Sequence, residues 1–225
     1  MHSHLIPGID DGSRDMDMSL RLIRGLRELG YRKLITTPHI NGDHFRNTPE
    51  TIRSGLAAVQ AAVKDRQIDI GIEAAAEYLL DEHFSDLLDS GQPLLTFHGN
   101  WVLVEFSFVV PAINAMETLF SLQMKGYQPV LAHPERYLYF SAEKGWYDRL
   151  RDAGCLFQLN LLSFKGHYGK LAHQLADYLI KKRYIDLLGT DLHHENHLRL
   201  LTSSSVIHDT VAKLLDSGMI RNTEL

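Results

Sequence analysis

The length of 225 residues, with 44% apolar and 23% charged residues, predicts one soluble domain, residues 1–225, with a buried core. The net charge of −5 excludes a nucleic-acid partner, because phosphate backbones require clustered Lys and Arg. Glu105, Pro111 and Asp186 interrupt the longest apolar stretches well before about 18 residues, and no basic segment precedes an apolar run, which excludes membrane insertion and a signal peptide.

Short apolar runs rich in β-branched residues alternate with longer amphipathic runs, a pattern that indicates a βα protein. Strands are predicted at His2–His4, Lys33–Thr37, Ile68–Glu73 (an extension to Glu77 stays open), Trp101–Phe106, Pro129–Ala132, Cys155–Asn160 and Ile185–Gly189. Helices are predicted at Leu20–Leu29, Pro49–Lys64, Phe84–Leu88, Ala112–Lys125, Trp146–Ala153, Leu171–Lys182 and Val206–Leu215. Proline in a first helical turn, as at Pro49 and Pro111, and glycine just past a helix end, as at Gly30, mark several boundaries.

Strands separated by helices in this order form a parallel sheet, either open or closed into a barrel. In such barrels the chemistry collects at the carboxyl ends of the strands. Metal-ligand side chains follow six of the seven predicted strands: His2, His4, Asp11, His39, Glu77, Glu105, His133, Asp191 and His193. A single His after a strand is usually a polar surface residue, but five histidines and four carboxylates at one end of a barrel predict a metal centre.

The spacing of His2 and His4 places both imidazoles on one side of a strand, where both can reach one ion. One ion cannot use nine ligands, so we expect two or three divalent ions with shared carboxylates, an arrangement suited to phosphoryl transfer. A donor set of imidazoles and carboxylates without thiolate favours Mn, Fe or Zn over copper.

Several assignments stay open on the residues alone. Asp10 competes with Asp11 for one ligand role, the other residue capping the next helix or orienting a histidine. Glu73 competes with Glu77 in the same way, and His194 is a candidate outer partner of a ligand. The remaining histidines are expected in solvated positions: His44, His83, His98, His167, His173, His197 and His208.

Cys155 is the only cysteine, which excludes an intramolecular disulfide and indicates a reducing cytoplasm. It lies in an apolar predicted strand, and position 161, where a cysteine phosphatase needs an arginine, is Leu161. We therefore expect a core residue rather than a nucleophile.

Six motifs carry a family resemblance: HSHLIPGIDDG, TTPH, AAAEYLLDE, LVEFSF, KGYQPVLAHPERY and GTDLHHENH. In this order they resemble the PHP-type (polymerase and histidinol phosphatase) protein-tyrosine phosphatases of bacterial capsule and exopolysaccharide synthesis. The resemblance implies a distorted (β/α)7 TIM-like barrel and a trinuclear centre that usually contains manganese. It also implies phosphotyrosyl protein substrates, among them a polysaccharide-export tyrosine kinase.

Carried over by position, the resemblance implies that His2, His4, Glu77 and Asp191 hold the first ion. Glu77 would bridge to a second ion completed by Glu105 and His133, and Asp11, His39 and His193 would hold the third. The resemblance thus selects Asp11 over Asp10 and Glu77 over Glu73. The family's usual Asp two positions before the first histidine would precede Met1, so we expect a short first strand.

Two arginines match the family pattern to different degrees. Arg136 resembles the phosphate-binding arginine, since a guanidinium offers two parallel donors to phosphate oxygens; the competing interpretation is a surface salt bridge with Glu135. Arg199 is the nearest match to a second family arginine, one residue further from Asp191 than the family spacing.

The expected mechanism is in-line attack on phosphorus by a metal-activated hydroxide, with Arg136 and the ions taking up charge on the oxygens. The main alternative is a small-molecule phosphatase acting on histidinol phosphate or a sugar phosphate. An amidohydrolase shares the opening HxH but usually places a modified lysine where this chain has Glu105. A catalytically silent partner of an export complex would not need the full ligand set.

Overall fold

Parallel strands form the inner layer of the molecule. A computed structural model describes residues 1–110 and 113–225. The strands are β1 (Lys33–Thr36), β2 (His39–Ile40), β3 (Gly71–Ala74), β4 (Glu77–Leu79), β5 (Trp101–Glu105), β6 (Gln128–Ala132), β7 (Leu156–Asn160) and β8 (Leu187–Gly189). One sheet pairs β1 with β3, and the other has the order β2-β4-β5-β6-β7-β8, with parallel pairing throughout.

The two sheets are parts of one barrel-like wall. β1 continues into β2 after two residues, and β3 continues into β4 in the same way, so each pair occupies one strand position. The amino-terminal segment lies between the two open edges. The His4 N–H donates to Leu192 O at 2.9 Å, and the Thr37 N–H donates to Ser3 O at 2.7 Å. The predicted barrel class is confirmed, with a first strand reduced to a single bridge between Ser3 and Leu192.

Helices cover the outside of this wall. They are α1 (Met16–Glu28), α2 (Pro49–Asp65), α3 (Glu82–Ser90), α4 (Ala115–Met124), α5 (Gly145–Asp152), α6 (Lys170–Lys181), α7 (Glu195–Ser203) and α8 (Ser205–Asp216). Short 3-10 helices occupy Pro134–Arg136, Leu138–Ser141, Leu161–Lys165 and Asn222–Glu224. Within residues 1–110 and 113–225, no helix has the length and apolar character needed to cross a bilayer.

Several predicted boundaries differ from the observed ones for local reasons. The first helix begins at Met16, before the predicted Leu20, because the Asp15 carboxylate accepts the Met18 N–H and caps it. The strand predicted from Ile68 begins only at Gly71. Helix α7 was not predicted, because its first residues are too polar to show an apolar period. The predicted helix start at Ala112 and the first-turn role of Pro111 lie outside the described residues.

An apolar layer fills the barrel below its carboxyl-terminal end. Ile35, Leu103, Val130 and Leu187 belong to one buried cluster inside the strands. Alternate residues of a strand share one side, so Glu105 lies two positions above Leu103 and on top of this layer. The polar ends of the strands therefore lie directly above a buried apolar layer.

Candidate metal centre

Imidazoles and carboxylates from different strands meet in one pocket at the carboxyl ends of the strands. The pocket has a volume of about 300 Å³ and is lined by Asp11, His39, Glu105, Phe108, His133, Arg136, Tyr168, Asp191, His193, His194 and His197. His2, His4 and Glu77 are fully buried. All nine sequence-predicted ligand residues thus lie in or near one small volume.

The first group of potential ligand atoms joins His2, His4, Glu77 and Asp191, and these atoms lie within 4.8 Å of one another. His2 Nε2 is 3.1 Å from Glu77 Oε2 and 3.3 Å from Asp191 Oδ1. His4 Nε2 is 3.4 Å and 3.5 Å from the same two oxygens. These four residues are those that the resemblance assigns to the first ion.

A second group surrounds Glu77 and Glu105. His133 Nε2 lies 2.9 Å from Glu77 Oε1 and 3.9 Å from Glu105 Oε2. His39 Nδ1 lies closer to Glu105, at 3.0 Å from Oε1, and it is His39 that forms the compact set with the two glutamates. The observed compact set therefore contains His39, whereas the set that the resemblance implies for the second ion contains His133 in that place.

The third group lies toward the mouth of the pocket and contains His4, Asp11, His39 and His193. Asp11 Oδ1 lies 3.5 Å from His39 Nε2 and 3.4 Å from His193 Nε2. The two imidazoles of His4 and His193 stack with centroids 3.9 Å apart. The His39 ring therefore lies between the second and third groups and offers one nitrogen to each.

Outer partners fix the orientation of the two innermost histidines. His2 Nδ1 lies 2.5 Å from Gln158 Oε1, and His4 Nδ1 lies 2.8 Å from Asp10 Oδ2. With Nδ1 of each ring engaged by these partners, Nε2 is directed into the cluster. Asp10 thus orients a histidine while Asp11 faces the pocket.

The backbone is strained at three of the same residues. His2, His133 and Asp191 have φ angles of 60°, 35° and 47°, in the left-handed region that favours glycine. Non-glycine residues in this conformation cost about 1–3 kcal/mol each and collect at functional sites. The fold therefore maintains an unfavourable backbone to direct these side chains inward.

The cluster stabilises positive charge. Burial alone would lower the pKa of His2, but the charges of Glu77 and Asp191 raise it to about 10. Burial and the charge of His2 act in opposite directions on Glu77, and its pKa is held well below the usual value. His4 Nε2 is buried and makes no hydrogen bond within the described part of the chain, although both carboxylates are near it. An orphaned imidazole nitrogen among carboxylate oxygens fits a divalent cation.

Arg136 reaches the pocket and pairs with Asp191 rather than with Glu135. Its Nη1 donates to Asp191 Oδ2 at 2.6 Å, and its guanidinium lies 4.5 Å from the Phe108 ring and 4.2 Å from the Tyr168 ring. Glu135 is buried elsewhere and accepts from Ser163 Oγ at 2.6 Å. The surface salt bridge considered for Arg136 is therefore wrong.

Arg199 does not reach the pocket. Its side chain is exposed on α7, and its Nη2 donates to Asn196 Oδ1 at 2.6 Å. The helix turns this position outward, while His194 and His197 line the pocket. The structure thus brings one of the two predicted arginines to the site.

His197, predicted to be solvated, is 9% exposed and lines the pocket. The His194 side chain accepts the His197 N–H and caps α7, which turns His197 inward. Tyr168 and Gln158 were also not predicted as site residues. No local spacing identifies them, since each reaches the site through its fold position alone.

The Asp10–His4 pair provides one test of this arrangement. Asp10→Asn should weaken the binding of divalent metal by about 10- to 100-fold, because the His4 imidazole loses its charged orienting partner. Isothermal titration of the metal-free protein measures the affinity. Asp65→Asn, an exposed change at the end of α2, should leave it unaltered. Equal affinities of the Asp10 variant and the parent would contradict the orienting role.

Fold and site together define a class: α/β barrel enzymes with a polar, cation-binding site at the carboxyl ends of the strands. The CpsB/CapC family of capsular polysaccharide synthesis matches residues 1–217, and the chain belongs to this family. The predicted family is confirmed.

Relatives and solved structures agree with this assignment. The tyrosine-protein phosphatase YwqE of Bacillus subtilis is 27% identical over 194 residues, which cover 86% of this chain and 76% of that protein. The tyrosine-protein phosphatase CpsB of Streptococcus pneumoniae is 25% identical over 199 residues, with coverages of 86% and 82%.

The crystal structures of YwqE and CpsB, described as unique metal-dependent tyrosine phosphatases, include a chain similar to this one with a TM-score of 0.80. The identity is 26%, covering 95% of this chain and 92% of that chain. Histidinol phosphate phosphatase from Lactococcus lactis has a TM-score of 0.55 at 14% identity, covering 92% of both chains. The second likeness shows the fold alone.

Proposed function

We propose that this chain is a metal-dependent protein-tyrosine phosphatase of capsule or exopolysaccharide synthesis. The observation that carries the proposal is the meeting of nine imidazole and carboxylate side chains with one guanidinium in and next to one pocket. The relatives named as tyrosine phosphatases support it. Its substrate would be a phosphotyrosyl protein, in particular a polysaccharide-export tyrosine kinase. The reaction would take place in the cytoplasm.

Divalent ions would be held by the nine residues, with Mn preferred and Fe or Zn as alternatives. The proposed ligands are His2, His4, Asp11, His39, Glu77, Glu105, His133, Asp191 and His193. When bound, such ions lower the pKa of water and neutralise phosphate charge. Imidazole and carboxylate donors with no thiolate among them suit these metals.

Arg136 would bind the phosphate. Its bond to Asp191 and its two aromatic neighbours fix the plane of the guanidinium, so that further N–H groups are available to two phosphate oxygens. A planar donor pair held in place before the substrate arrives stabilises charge that develops on the phosphoryl oxygens. Asp191 would thus serve the ion and the arginine together.

A protein nucleophile is not part of the proposal. Cys155 is buried, and burial raises the pKa of its thiol to about 12, so the thiolate is absent at neutral pH. The phenol released from phosphotyrosine has a pKa of about 10 and needs less help from an acid than an alkoxide would. Water is therefore a sufficient attacking group.

Metal removal tests the proposal. The protein should release phosphate from a phosphotyrosyl peptide when Mn²⁺ is present, and a chelator should reduce the rate to background, because bound ions would activate water and neutralise phosphate charge. Readdition of Mn²⁺ should restore it. No turnover with Mn²⁺, Fe²⁺ or Zn²⁺ would contradict the enzyme assignment.

The same assay separates the two substrate classes. Histidinol phosphate should be hydrolysed with a kcat/KM at least about tenfold below that of the phosphotyrosyl peptide, a difference of about 1.4 kcal/mol in transition-state binding. The reverse preference would support the small-molecule phosphatase instead.

A further inference from the structure

Four large apolar side chains near one another in the sequence are exposed, and the first of them, Phe108, lines the pocket. Phe108 is 45% exposed, Val109 83%, Val110 60%, and Ile113 is fully exposed. We call these four residues the apolar rim. Single exposed apolar residues are ordinary, whereas a contiguous group usually marks a binding surface.

Hydrogen bonds hold the backbone at the base of the rim. Phe106 is buried, and its N–H donates to the Tyr137 hydroxyl at 2.9 Å. Ser107 O accepts from the Tyr139 hydroxyl at 2.9 Å, and Ser107 Oγ accepts the Val109 N–H at 3.2 Å. The backbone next to the rim is therefore anchored to the segment that carries Arg136.

The rim is continuous with the pocket through Phe108. This ring lines the pocket, lies 4.5 Å from the Arg136 guanidinium and is 5.4 Å from the His133 ring, measured between centroids. A phosphate at Arg136 would therefore place an attached phenyl ring near Phe108. Val109 and Val110 follow Phe108 directly in the chain and are exposed, so residues flanking that ring would be within their reach.

We propose that the apolar rim binds apolar residues flanking the phosphotyrosine of a polypeptide substrate, an inference that rests on the proposed phosphatase function. Burial of the rim's valine and isoleucine side chains against apolar flanking residues favours binding. Charged flanking residues would gain no such affinity. The rim thus gives the enzyme a preference among phosphotyrosyl sequences that the metal centre and Arg136 cannot provide.

The competing interpretation is that a second copy of this chain covers the rim. The small area of the rim argues against it. Four side chains cover much less than the ~800 Å² per partner of a standard stable interface. Phe120 and Met124, also exposed, lie on α4, five and nine residues after its first residue Ala115. A dimer would have to cover these two residues, whereas a short peptide seated at the pocket does not need them.

Two phosphotyrosyl peptides test the rim, one with Val, Ile or Leu on both sides of the phosphotyrosine and one with Ser and Asn there. The apolar peptide should have a KM about tenfold lower. The double variant Val109→Ser/Val110→Ser should remove this advantage and leave kcat/KM for p-nitrophenyl phosphate within about twofold of the parent. The matched variant Leu171→Ser/Val206→Ser, at exposed sites on α6 and α8, should behave as the parent.

Equal KM values for the two peptides, or an equal loss on all substrates in the rim variant, would overturn the proposal. So would a dimer, seen by sedimentation, that Phe120→Ser/Met124→Ser and the rim variant both dissociate. Inactivity of the parent protein on every phosphotyrosyl substrate would refute the proposed function instead. Fluorescence anisotropy with phosphonate analogues of both peptides then still measures the rim's preference without turnover.

Discussion

Replacement of Glu77 by Gln should reduce phosphatase activity by more than about 100-fold and lower the metal content of the purified protein. The Glu77 carboxylate lies within 3.4 Å of His2, His4, His39 and His133, so its charge serves several groups of ligand atoms together. Losing an outer partner of a ligand already costs about 10- to 100-fold, and losing a shared ligand should cost more. Metal content by mass spectrometry and initial rates with saturating Mn²⁺ measure the two effects.

Glu73→Gln is the matched control for this change. Glu73 is exposed and lies 2.9 Å from Lys33 Nζ, a surface pair worth about 0–1 kcal/mol. Activity and metal content should equal those of the parent. If Glu77→Gln retained its full metal content while Glu73→Gln lost it, the assignment of the two glutamates would have to be reversed.

Arg136→Ala should lower kcat/KM by about 100- to 1,000-fold while metal content stays unchanged. The guanidinium pairs with Asp191 and lines the pocket, and its cationic N–H donors cannot ligate a metal ion. Removal of one preorganised donor that stabilises transition-state charge typically costs this much. Arg136→Lys should restore only part of the rate, because an ammonium cannot offer two parallel donors.

Arg199→Ala provides the comparison that separates the two arginines. The exposed side chain, bonded to Asn196, should be dispensable, with activity within about twofold of the parent. A loss in Arg199→Ala as large as in Arg136→Ala would show that the substrate draws α7 inward. A loss of metal in Arg136→Ala would show that this residue supports Asp191 rather than the phosphate.

Local patterns were sufficient to predict most of the elements and seven of the nine ligand-type residues, whereas Asp11 and Glu77 were selected over Asp10 and Glu73 only by the family resemblance. Strand alternation and helix caps act over a few neighbouring residues, so the order of strands and helices follows from short windows of sequence. Because parallel strands end at one side of a barrel, residues such as His39 and His133 were expected to meet before any contact was known. Helix α7 was missed, because its first residues are polar and show no helical period of apolar residues.

Contacts between distant segments decided the rest. Arg136 pairs with Asp191, 55 positions away, and not with its neighbour Glu135. Gln158 reaches His2 across 156 positions. No spacing in the chain encodes such a pair, because side-chain partners in a barrel depend on which strands become neighbours and on the register between them.

The sequence by itself therefore determined the chemical character of this protein: a βα chain whose strands end in imidazoles and carboxylates. Only the tertiary structure decided how these groups are used. It placed Asp10 behind His4 and Asp11 in the pocket, turned Arg199 outward and His197 inward, and stacked Phe108 and Tyr168 against Arg136. The physical reason is that ligand type is a property of single residues, whereas orientation, burial and charge balance are properties of a packed neighbourhood.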